Sequence, residues 1–105
     1  MSLGDKRRQF AKMKCLLEHY ISFLGIDYAE DQGKRCTDCP VGHPKSTHKV
    51  GLAIDILIYG PGMSYPHPSA EEIYSTLHDF WDLIGGAERI KGDLNHFSLP
   101  WQGVR

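Results

Sequence analysis

Four residues of this chain have types and spacing that could do chemistry together: His48, Asp55, Asp93 and His96. Asp55 is the one charge inside the apolar run Gly-Leu-Ala-Ile-Asp-Ile-Leu-Ile-Tyr at residues 51–59. A lone carboxylate is costly to bury, so it calls for a cation, hydrogen-bond donors or a metal. His48 lies seven residues earlier, an odd step that would put it on the opposite face of an unbroken strand. Gly51 between them permits a bend or bulge that returns His48 to the Asp55 side. His96 is the candidate third ligand, and three protein ligands with a fourth position left to water are the donor set of an open catalytic zinc site. Asp93, three residues before His96, is spaced to reach bound water without ligating the ion. It would accept the water's proton and later deliver it to a leaving amine. That is the apparatus of metal-assisted amide hydrolysis.

These residues need elements to carry them. Over residues 5–24, Phe10, Met13, Leu16, Leu17, Tyr20, Phe23 and Leu24 recur at three- and four-residue steps among polar side chains, which predicts an amphipathic helix ended near Gly25. Residues 27–47 hold Gly33, Pro40, Gly42 and Pro44 with no sustained period, and read as a long loop with a short strand near residues 25–29. Ordered loops of that length usually serve function. Residues 51–59 predict a core strand stopped by Gly60-Pro61-Gly62. Ser69 and Glu72 make a capping box, and Ile73, Leu77, Phe80, Trp81 and Ile84 keep helical spacing until Gly85-Gly86. A weaker alternation over residues 88–99 suggests one or two strands around a turn at residues 91–93, before a tail opened by Pro100. The expected fold class is α+β, with a small antiparallel sheet carrying the ligands and two main helices packed on it.

Composition narrows the function further. A chain of 105 residues fits one compact unit, whose site must be carved from its own core scaffold. Twelve Lys and Arg against 13 Asp and Glu leave a formal charge of -1, without the one-signed field that draws proteins to nucleic acid or acidic membranes. No apolar stretch approaches the roughly 20 residues of a bilayer span, and residues 1–14 lack the apolar core of a secretory signal. The expectation is a protein that is cytoplasmic as synthesised. Three cysteines, an odd number, favour reduced thiols over a disulfide framework.

The run Ser46-Thr47-His48-Lys49-Val50-Gly51-Leu52-Ala53-Ile54-Asp55 reads S-x-H-x-x-G-x-A-x-D, and Asp93-Leu94-Asn95-His96-Phe97 places an acid three positions before a His followed by an aromatic. Together they resemble the D-alanyl-D-alanine carboxypeptidase and L-alanyl-D-glutamate endopeptidase family of zinc peptidases, which cut peptidoglycan peptides. The resemblance covers nearly the whole chain. It implies a single zinc peptidase domain over residues 1–105 with the fold shared with Hedgehog signalling domains. It also implies a Zn2+ held by His48, Asp55 and His96, with Asp93 as general base and later acid, and Ser46 supporting the site by hydrogen bonding. Phage relatives in that family often carry a Tyr-Arg pair before the first motif. Here Asp27-Tyr28-Ala29-Glu30 has no Arg, leaving Arg35 or Lys34 to bind substrate. Similarity to phage sequences further implies an endolysin that reaches the wall through a separate lysis system.

Blander readings stand beside this one. His48 alone reads as a loop histidine, and Asp55 alone as a strand carboxylate paired with a Lys or Arg. Cys36-Thr37-Asp38-Cys39 could build a structural zinc site with His43 or Cys15, although a second C-x-x-C pair is missing. His67, between two prolines, reads as a loop residue, and His19 and His78 as solvent-facing helix positions. Trp101 fits a substrate groove or the core equally. Two alternative functions follow: a noncatalytic module binding cell-wall peptides on the same scaffold, and a small zinc adaptor built on Cys36 and Cys39.

Overall fold

The computed structural model describes residues 2–31, 47–59 and 70–105. The stop at Gly60-Pro61-Gly62, the Ser69 cap and the short motif containing Cys36 and Cys39 lie outside the described residues, as do His43 and His67.

The first helix, α1, spans Leu3–Phe23. Ser2 caps it: its hydroxyl accepts from the Asp5 amide at 3.1 Å while its own amide donates to the Asp5 carboxylate at 3.2 Å, which satisfies two of the donors left over at a helix start. The buried face is Phe10, Met13, Leu17 and Ile21, a single stripe at helical spacing. Leu16, Phe23 and Leu24, grouped with the apolar stripe in the sequence, are exposed, and Ile21 takes the buried position. Strand β1, Asp27–Asp31, sits two residues later than the sequence suggests. A 3-10 turn at Thr47–Val50 then precedes β2, Ala53–Tyr59. Helix α2, Ala70–Leu83, and β3, His96–Ser98, complete the described elements. The alternation over residues 88–99 becomes one short strand and an isolated bridge between Ile90 and Asp93.

These elements make an α+β fold of two helices and a three-stranded antiparallel sheet of order β1-β2-β3. Side chains alternate along β2, so Ile54, Ile56 and Ile58 are fully or almost fully buried in the core shared with both helices. Ala53, Asp55, Leu57 and Tyr59 fall on the other face. From α2, Tyr74, Leu77 and Trp81 enter the core, where Trp81 meets Phe10 and Phe97 edge to face. The polar ends of the Tyr74 and Trp81 rings are satisfied: Tyr74 donates to the Ile56 carbonyl, and the Trp81 indole donates to the Ser98 carbonyl at 2.9 Å. Trp101 is half-buried and packs against this core. None of the described helices is long and apolar enough to cross a membrane.

Candidate metal centre

Asp55 and His96 are direct partners across the β2–β3 ladder. The ladder hydrogen bonds fall on the flanking pairs, Leu99 to Leu52 and Ile56 to Asn95. Asp55 and His96 therefore form the non-hydrogen-bonded type of pair, in which facing side chains approach most closely. The His96 amide, turned away from β2, donates instead to the Asp93 carbonyl at 3.2 Å.

Of the bend or bulge that Gly51 permits, His48 arrives by a bend. It lies in the 3-10 turn, which closes with Leu52 donating to the Thr47 carbonyl at 2.9 Å. Gly51 follows the turn at φ +74, a left-handed conformation that a side chain would strain. The chain thereby reverses into β2 with the His48 ring over the Asp55 face. Arg7 of α1 braces the turn, its Nε donating to the Val50 carbonyl at 2.8 Å.

The three side chains meet at three atoms. His48 Nε2 lies 3.1 Å from His96 Nδ1 and 3.3 Å from Asp55 Oδ1, and His96 Nδ1 lies 3.6 Å from the same oxygen. A tetrahedral zinc with bonds of about 2.0–2.2 Å sets its donors roughly 3.3–3.5 Å apart, so the observed triangle has the size such an ion requires. Both imidazoles are buried, at 5% and 6% exposure. Asp55 Oδ1 is also buried and has no hydrogen-bond partner of normal geometry among the described residues. An unsatisfied carboxylate oxygen facing two ring nitrogens fits a cation at their centre. Burial raises the pKa of the Asp55 carboxyl, but His48 and His96 outweigh it and hold the group far below the ordinary carboxylate range. The carboxylate is thus ionised and ready to ligate at neutral pH. His48, Asp55 and His96 could hold a metal ion.

Asp93 is exposed on the turn that leads into β3, tied to His96 through its backbone carbonyl. Ser46, Arg35 and Lys34 lie outside the described residues. Cys15 is exposed on α1, and so is His19. His78 corrects the sequence reading: it is buried, not solvent-facing, stacked on Phe97 with ring centroids 4.1 Å apart. The signal was present in the helix register, because residue 78 falls on the same face as Tyr74, Leu77 and Trp81.

The chain matches no protein-family model, no curated protein and no solved structure.

Proposed function

We propose that the protein is a zinc peptidase acting on bacterial cell-wall peptides, of the D-Ala-D-Ala carboxypeptidase or L-alanyl-D-glutamate endopeptidase type. The observation that carries this reading is the convergence of two imidazoles and one ionised carboxylate from separate turns and strands at the spacing of a single ion. Two short sequence motifs, S-x-H-x-x-G-x-A-x-D and D-x-x-H, supply the substrate class by resemblance.

In this reading His48 Nε2, Asp55 Oδ1 and His96 Nδ1 hold Zn2+. The chemistry such an ion would supply is a bound water of pKa about 7 and polarisation of the scissile carbonyl. Asp93 takes the proton of the attacking water on its carboxylate and passes it to the amine nitrogen as the C–N bond breaks. Its exposure on the turn before His96 leaves that carboxylate open to solvent and substrate.

The test is digestion of purified peptidoglycan sacculi by the wild-type chain and by Asp93→Ala, with mass analysis of the released fragments. The wild type should release peptides with newly freed amino groups. Asp93→Ala should keep its metal and lose activity by about 10^2–10^4-fold, the usual weight of a general base. A zinc-loaded wild type inert on sacculi of every wall chemistry would overturn the peptidase reading in favour of a noncatalytic binding module.

A further inference from the structure

We propose that His78 is a positioning residue for the metal centre: it clamps the backbone on both sides of His96 and so sets where His96 Nδ1 points. The inference rests on the metal-centre reading above and adds a residue that neither motif contains.

The His78 ring reaches across from α2 and places Nε2 2.7 Å from the carbonyl oxygen of Leu94. A carbonyl can only accept, so Nε2 carries the proton and the neutral ring is the Nε2–H tautomer. Its other nitrogen, Nδ1, is then a lone pair, buried and without a partner among the described residues. Burying an unmatched acceptor is unfavourable, a cost that a leucine or phenylalanine on the same apolar face would avoid. What the imidazole gives in return is local to His96. Leu94 lies two residues before it, and Phe97, on which the ring stacks nearly flat at 11°, follows it directly. The same segment is fastened to β2 by Ile56 donating to the Asn95 carbonyl at 2.9 Å. Residues 94–97 are thus held in succession by a side-chain hydrogen bond, a ladder hydrogen bond and a ring stack. The backbone from which the His96 imidazole projects toward His48 and Asp55 is thereby fixed on both sides. Groups that orient a metal ligand from outside the coordination sphere typically alter metal affinity by 10–100-fold when removed.

Zinc affinity of the full chain, measured by competition with a chromophoric chelator, and the visible spectrum of the cobalt-loaded protein test this. His78→Phe keeps the stack on Phe97 and loses the donor; it should fold, bind zinc on the order of tenfold more weakly and show an altered cobalt band. His78→Gln, whose side-chain amide can again donate to the Leu94 carbonyl, should recover most of the affinity. Equal zinc affinity and an identical cobalt spectrum in His78→Phe would overturn the proposal. Nitrogen-15 NMR of the wild type gives an answer independent of how any variant folds. The His78 Nε2–H signal should be present and should shift on zinc addition, whereas an Nδ1–H tautomer would overturn the clamp. Failure of the metal-centre reading looks different: the wild type itself would take up no zinc while the His78 Nε2–H signal remained.

Discussion

The Nε2 atom of His48 and the Nδ1 atom of His96 lie 3.1 Å apart although the residues are separated by 48 positions in sequence. With their rings edge to face and centroids 4.8 Å apart, the two nitrogens share one hydrogen bond, and an ion between them would take the place of its proton by using both lone pairs. Binding should therefore depend on each ligand. The purified chain should carry about one zinc, and His48→Ala or Asp55→Ala should abolish that stoichiometry in elemental analysis. Cys36→Ala should leave it unchanged; loss of the metal in Cys36→Ala with retention in His48→Ala would move the site to the cysteines.

Metal removal should expose how much of the fold depends on the ion. A ligand present at 100 times its dissociation constant stabilises the folded state by about 2.7 kcal/mol. For a chain of this size that corresponds to a fall in Tm of roughly 10–20 °C on chelation. Calorimetry with and without a chelator should show the fall in wild type and no fall in Asp55→Ala. An unchanged wild-type Tm would mean that the folded chain binds no stabilising ion.

Acid should destabilise the protein partly through His78. Burial lowers its pKa from the ordinary 6.5, the bond to Leu94 opposes that shift, Arg89 and His96 add to it, and Asp82 acts against it. The unfolded chain then binds the proton more readily, so the contribution is complete above about pH 6.5 and is lost as the pH falls below it. Asp55, held below its ordinary 3.8, has the same sign in a more acid window. Between pH 7.5 and 5 the unfolding free energy should fall less steeply with acid in His78→Gln than in wild type. Parallel slopes in denaturant titrations would show that His78 does not titrate across folding.

Gly86 predicts a packing defect. A Cβ there would overlap the Trp81 indole, and that indole donates to Ser98 at the end of β3. Gly86→Ala should cost about 1–3 kcal/mol, the usual cost of overfilling a packed site. Equilibrium unfolding measures it, and a neutral result would mean that the indole has room to move.

Both helices and the central strand could be read from periodicity, because α1, α2 and β2 each bury one continuous face, whereas His48, Asp55 and His96 were legible only through residue type and spacing. What the pattern hid was local geometry. The turn that carries His48 has no period, and only the left-handed Gly51 marks it. β3 is three residues long, too short for alternation to define. His78 is hard to read as buried because a polar residue on an apolar stripe looks like an exception, and its hydrogen bond to Leu94 depends on a turn 16 residues away. Leu16 and Phe23, both exposed, mislead for the opposite reason: apolar type alone cannot say which of two neighbouring helix faces meets the sheet.

The direct pairing of Asp55 with His96 also constrains how the chain can fold. Sliding β3 by one residue along β2 would swing the imidazole beneath the sheet and bring Phe97 out in its place. A divalent ion would reject that misalignment, since only the native pairing brings all its donors within reach. The ion would thus act as a proofreader of strand register, rewarding the correct partner for a strand too brief to choose it unaided.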